Sequence, residues 1–185
     1  MIKEVFSEVE SRMQKTIEVL EADLRAIRTG RASPALVERV MVDYYGTLTP
    51  LNQLATISAP EPQLLTIRPY DPGSLGDIER AILKSELGLT PANDGRLIRL
   101  PIPRLTEERR QELARMVRQR IEEGKVSLRN IRREALDDLR DLEKEKLVSE
   151  DEFYRSKDDL QDLTDRYIEQ MDEISVRKQQ ELLEH

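Results

Sequence analysis

The chain has 185 residues, 36% of them charged and 4% aromatic, with a formal net charge of -7. That length allows one ordinary domain or two small ones, and the charge-rich, aromatic-poor balance suits long solvated helices better than an aromatic-cored β-sandwich. There is no Cys and a single His, at position 185, which excludes disulfides and Cys-ligated zinc and leaves no basis for a Ser/His/Asp triad or a His-ligated metal.

All nine prolines fall between Pro34 and Pro103. Proline removes a backbone donor and breaks helix interiors, so the two flanks are free to form long helices and the middle is not. The expected organisation is α+β in two domains. Residues 1–30 and 105–185 form an elongated antiparallel three-helix bundle, and a small α+β domain of β/α/β character, residues 31–104, is inserted into it.

In the first flank, Val5/Phe6, Val9, Met13, Ile17, Leu20, Leu24 and Ile27 recur at steps of three and four and draw one helical stripe. Gly30 is the expected stop, because glycine takes a left-handed conformation without steric cost. In the middle, Val40, Val42 and Tyr44 alternate with Met41, Asp43 and Tyr45, as a half-buried strand does. Gly46 offers a turn into a second strand, 47–51. Segments 54–58, 64–68 and 96–100 read as further strands, and 74–87 as a short helix carrying Leu75, Ile78, Ile82 and Leu83.

After Pro103, Thr106 is the expected N-cap of a second long helix, with Glu107 and Glu108 favourable at its positive end. Its stripe runs Leu113, Val117, Ile121, Gly124, Leu128, Ile131, Ala135, Leu139 and Leu142. Continued to Leu147, such a helix is about 60 Å long. Gly124 on this stripe permits a close helix approach. Ser149-Glu150-Asp151-Glu152 reads as a capping box, with Val148 and Phe153 placed for a hydrophobic staple. The third helix carries Phe153, Leu160, Leu163, Tyr167, Met171, Ile174 and Leu182. Each helix is apolar on one side only, so the three must pack lengthwise on one another.

No spacing isolates a carboxylate pair, and neither G-x-x-x-x-G-K-[ST] nor G-x-G-x-x-G occurs. No enzymatic activity, cofactor or metal is therefore expected. No run of 18 apolar residues exists, and the first ten residues lack an apolar signal core, so a cytoplasmic protein without membrane association is expected.

The acidic total conceals a basic segment. Residues 104–133 hold ten basic and five acidic side chains, whereas residues 134–185 hold eight and eighteen. On a helical projection, Arg115, Arg118, Lys125, Arg129, Arg132 and Arg133 fall within an arc of about 100° beside the apolar stripe, interrupted by Glu122. Such an arc suits a phosphate backbone, where guanidinium groups bind two oxygens at once. A solvated face laced with i,i+4 ion pairs is the alternative. With no Trp and Tyr44-Tyr45 the one adjacent pair of tyrosines, a base-stacking single-strand platform is not expected. An RNA partner would be folded RNA, read by shape and backbone.

Five segments, in this order, carry a family resemblance: Ile27-Arg28-Thr29-Gly30-Arg31-Ala32-Ser33-Pro34; Asp43-Tyr44-Tyr45-Gly46 followed by Thr49-Pro50-Leu51; Leu87-Gly88-Leu89; Pro101-Ile102-Pro103-Arg104-Leu105-Thr106-Glu107-Glu108-Arg109-Arg110; and Arg129-Asn130-Ile131-Arg132-Arg133. With them the chain resembles the bacterial ribosome recycling factors along its whole length. It departs from the family pattern at residues 59–62 and 68–72, which are richer in proline.

The resemblance implies a translation factor that acts after termination. With elongation factor G and GTP, it splits the post-termination ribosome into subunits and releases mRNA and deacylated tRNA. It implies a bundle lying on large-subunit ribosomal RNA near the peptidyl-transferase region and the intersubunit bridges. The inserted domain would face elongation factor G and the small subunit. It implies RNA contacts at Arg132 and Arg129, to which the basic arc adds Arg133, Lys125 and Arg118 as candidates. Arg28, Arg31, Arg109 and Arg110 would either contact RNA or hold the domain junction. Gly30, Arg31, Pro101, Pro103 and Arg104 would form the hinge, and the factor would act as a monomer. Two other readings of the same helices are a scaffold for another helical protein and a GTPase cofactor that does not bind RNA.

Overall fold

A computed structural model describes residues 1–27 and 29–183. Its elements are α1 (Ile2–Arg25), β1 (Met41–Tyr44), β2 (Thr47–Pro50), β3 (Ala55–Glu61), β4 (Leu64–Pro69), α2 (Leu75–Lys84), β5 (Ala92–Asn93), β6 (Ile98–Pro101), α3 (Glu107–Lys144) and α4 (Glu150–Leu183). They form two compact units. One joins Met1–Leu24 to Ala114–Glu181, and the other is built on Arg25–Leu113.

The first unit is helical. Val9, Met13, Ile17, Leu20 and Leu24 of α1 are buried, as are Val117, Ile121, Leu128, Ile131, Ala135 and Leu139 of α3 and Phe153, Leu160, Leu163, Met171 and Ile174 of α4. Side-chain pairs fix the helix directions. Arg12 reaches Glu134 at 2.6 Å and Asp23 reaches Arg120 at 3.5 Å, so α1 and α3 run antiparallel. Lys125 meets Asp172 at 2.6 Å and Arg132 meets Gln161 at 2.7 Å, so α3 and α4 do as well. Gly124 is the notch in this packing. A Cβ there would stand 2.9 Å from Cε and 3.1 Å from Sδ of Met171.

The helix ends follow local chemistry. The Arg109 N–H donates to Thr106 Oγ1 at 3.1 Å, and the Glu152 N–H to Ser149 Oγ at 3.1 Å, so both expected N-caps form. Val148 and Phe153 are both buried beside the second cap. α3 closes without glycine. Lys146 adopts φ 59°, the Leu147 N–H bonds the Leu142 carbonyl at 2.9 Å, and the Lys146 N–H bonds the Glu143 carbonyl at 2.9 Å. This is a Schellman closure with lysine in the left-handed position. α1 differs from expectation. It ends at Arg25, and Gly30, although its φ is +84°, lies beyond the helix in the following loop.

The second unit holds a two-stranded hairpin, β1–β2, and a four-stranded antiparallel sheet in the order β3-β4-β6-β5. Val42, Leu51, Leu65, Ile67, Ile98, Leu100 and Ile102 form its core, closed by Ile78 and Ile82 of α2. The β3–β4 register shifts between Ser58 and Glu61, where Pro60 sits. Proline cannot donate to a ladder, so the proline-rich segment coincides with the irregular stretch of the sheet. The turn after β3 is held by two further segments of this unit. The Ala32 N–H donates to the Pro62 carbonyl at 2.6 Å, and the Ile102 N–H to the Gln63 carbonyl at 2.8 Å.

Among the described residues, no helix is long and apolar enough to cross a membrane.

Candidate nucleic-acid interface

The candidate interface is the outward face of α3. Helical geometry puts three kinds of residue on this 38-residue element. The buried stripe anchors it. On one flank, Arg120 and Glu134 pair with α1. On the other, Lys125 and Arg132 meet α4. Between the flanks lie Arg115, Arg118, Arg129 and Arg133, all exposed. Among the described residues, these four make no side-chain hydrogen bond or ion pair. Their guanidinium groups present planar forks of donors to whatever approaches, which is the chemistry that recognises phosphate.

The two flank residues differ from these four and from each other. Lys125 has a side chain only 15% exposed, held by Asp172 at 2.6 Å and Glu122 at 3.8 Å. Its charge is neutralised inside the bundle, so the structure makes it a helix-to-helix contact. The helical projection missed this because Asp172 stands on another helix. Arg132 is half-buried, and its Nη1 donates to Gln161 Oε1 at 2.7 Å, while Gln161 Nε2 donates to Asp165 Oδ1 at 2.8 Å. Its partner is neutral, so its positive charge is retained. Gln161 and Asp165 carry no sequence signature of their own. Their spacing of four places them on one side of α4, and only the antiparallel packing brings that side to Arg132.

The remaining candidates belong to the second unit. Arg31 and Arg104 are exposed. Arg109 is exposed and donates to Glu112 at 2.8 Å. The Arg110 side chain is only 15% exposed and lies 3.7 Å from Glu107. Arg28 falls outside the described residues. Gly30, Pro101 and Pro103 also fall within the span of the second unit. A Cβ on Gly30 would stand 3.6 Å from Leu105 Cγ, so the segments around Gly30 and Leu105 touch there.

The second unit also has a polar cluster that sequence reading did not find. Tyr44 and Tyr45 both donate to Asp71 Oδ2 at 3.1 Å, and Asp71 Oδ1 accepts from the Gly73 N–H at 2.9 Å. The Gly73 N–H first, then the two phenols, hold the Asp71 carboxyl below the usual carboxylate range. The same bonds raise both tyrosines. Tyr44 is half-buried in the strand and Tyr45 is 78% exposed, so the pair offers no stack of successive bases. Among the described residues, no cluster of three or more His, Cys, Asp or Glu side chains could hold a metal ion.

Comparison with known proteins gives the same reading over the full length. The family model described as ribosome recycling factor matches residues 20–183. A ribosome-recycling factor of Roseiflexus castenholzii is 58% identical over 184 residues, covering all of both chains. One of Carboxydothermus hydrogenoformans is 56% identical over 183 residues, covering 99% of each. A solution structure of a ribosome recycling factor superposes with a TM-score of 0.77 at 41% identity, over 98% of this chain and 97% of that one. A second relative is the Thermus thermophilus ribosome recycling factor, described with Escherichia coli elongation factor G bound to the E. coli post-termination complex. It has a TM-score of 0.69 at 49% identity over the full length of both chains. With a two-domain α+β fold of long helices and a small sheet, and relatives of more than half identical sequence along its whole length, the chain belongs to the ribosome recycling factor family.

Proposed function

We propose that this chain recycles ribosomes after termination, separating the post-termination complex into subunits together with elongation factor G and GTP, with release of mRNA and deacylated tRNA. The observation that carries the reading is the identity, end to end, to recycling factors. A relative matched over its full length has been described with elongation factor G on a post-termination complex, which supports the same partners here.

In this reading the bundle, residues 1–30 and 105–185, binds large-subunit ribosomal RNA. The inserted part, 31–104, meets elongation factor G and the small subunit. Arg118, Arg129, Arg132 and Arg133 carry the RNA contacts. The outward aim of three of them and the retained charge of the fourth support that assignment. Arg28, Arg31, Arg109 and Arg110 either contact RNA as well or hold the junction between the parts, and Gly30, Arg31, Pro101, Pro103 and Arg104 form its linkers. The chain catalyses no bond change itself, since GTP hydrolysis belongs to elongation factor G. It works as a monomer in the cytoplasm.

The test is light scattering of purified post-termination ribosomes mixed with elongation factor G and GTP. Adding the chain should cause a drop in scattering as subunits part, and omitting either factor should abolish it. Unchanged scattering with all components present would overturn the proposal.

A further inference from the structure

We infer that Gln161, on α4, is a positioning residue for Arg132: it holds the guanidinium at the edge of the α3 basic face without neutralising it. The inference rests on the RNA-binding reading of that face.

Arg132 sits where the basic arc borders the groove between α3 and α4. A free arginine there would sample many rotamers, and ordering it on RNA would cost entropy. Its Nη1 instead donates to Gln161 Oε1 at 2.7 Å. An amide can present either its oxygen or its nitrogen, and the structure has a reason for the choice. Gln161 Nε2 donates to Asp165 Oδ1 at 2.8 Å, and a carboxylate only accepts, so the amide nitrogen must face Asp165 and the oxygen Arg132. The base of this relay is rigid. Gln161 lies between Leu160 and Leu163 on α4, and those two residues, with Thr164, are buried in the bundle. One of the five guanidinium donors is engaged, which leaves a fork free for phosphate oxygens.

Lys125 gives the contrast. It stands on the same edge of α3, two helical turns earlier, but its α4 partner is the carboxylate of Asp172 at 2.6 Å. A direct carboxylate cancels the charge. A neutral amide with the carboxylate one residue removed orients the cation and leaves it positive.

The test is a double-mutant cycle read as affinity for purified large ribosomal subunits, with helix content and melting temperature measured in parallel. Gln161 is exposed, so its variants should fold as the parent does. Gln161→Ala should weaken binding about three- to tenfold, the range of one ordinary hydrogen bond. It should weaken it no further in an Arg132→Ala background. Gln161→Glu keeps an acceptor but adds a charge, and should weaken binding more than Gln161→Ala, with a shallower dependence on salt. Binding by Gln161→Ala within twofold of the parent, or an equal loss with and without Arg132, overturns the inference while leaving the RNA-binding face intact. A silent Arg132→Ala overturns both.

Discussion

The two units use their acidic side chains for different ends. In the sheet-bearing unit, aspartates hold turns. Asp43 accepts from the Gly46 N–H at 2.9 Å, Asp71 from Gly73 at 2.9 Å, and Asp94 from Arg96 at 2.9 Å and Leu97 at 3.0 Å. In the helical unit, carboxylates on one helix meet cations on another, as in Glu134 with Arg12, Asp23 with Arg120 and Asp172 with Lys125. The first use shapes a loop locally, and the second sets how long helices register. The difference shows which charges remain for a partner. Both flanks of α3 are tied to neighbouring helices, and the arginines between them are not.

The largest effect expected is on the helical core that presents this face. Leu128 is fully buried, and Leu128→Ala should cost about 2–5 kcal/mol of stability. Thermal unfolding followed by far-UV circular dichroism reads this directly. Val126, half exposed on the same helix, should tolerate alanine within about 0.5 kcal/mol. Similar losses at both sites would contradict the assignment of the buried stripe.

Next comes the face itself. Arg132→Ala should weaken large-subunit binding about ten- to a hundredfold, the worth of one charge-assisted hydrogen bond. Helix content should not change. Arg177→Ala, on exposed α4 surface among acidic residues, should leave affinity near that of the parent. Equilibrium binding to purified subunits separates the two, and equal losses would mean that net charge, not position, decides.

The turn-holding aspartates give a smaller effect with a definite sign. The N–H groups of Leu97 and Arg96 hold the Asp94 carboxyl below its usual range, as those around Asp71 do there. A depressed folded-state pKa contributes stability that is present above the ordinary carboxylate range and lost as pH falls through the lowered value. Protection of the Arg96 and Leu97 amides against hydrogen exchange, taken relative to the intrinsic rate at each pH, should therefore fall in acid, and much less so in Asp94→Asn. A pH-independent pattern in the parent would break this half of the comparison.

The smallest effect is at Gly124. Alanine there gains about 1 kcal/mol of helix propensity. Its Cβ displaces only the flexible tip of Met171. Gly124→Ala should melt close to the parent, while Gly124→Val, which must overpack the same notch, should cost about 1–3 kcal/mol.

Much of this was legible in the sequence where the signal is periodic. The apolar stripes, the caps at Thr106 and Ser149, the notch at Gly124 and the arc of arginines follow from spacing on one helix. Proline confinement marked the stretch that carries the strands. What could not be read depends on chain pairing. Lys125 counts as a free cation until Asp172 is brought against it, and Arg132 has no visible support until α4 is laid antiparallel. The segments at Ala32 and Ile102 are held by backbone carbonyls, which no side chain announces. β5 has two residues, too few for an alternating pattern. Lys146 closes α3 in a conformation that favours glycine, so the usual stop signal is missing.

The most direct measurement of the central claim is the salt dependence of large-subunit binding for the parent and for a variant with Arg129, Arg132 and Arg133 all replaced by alanine. Released counterions make the log of affinity fall linearly with the log of salt, by about 0.7–0.9 per phosphate contact. The expected result is a steep line for the parent and a slope shallower by about two to three such increments for the variant, with the two proteins equally folded. Parallel lines would contradict the claim that this face of α3 binds ribosomal RNA.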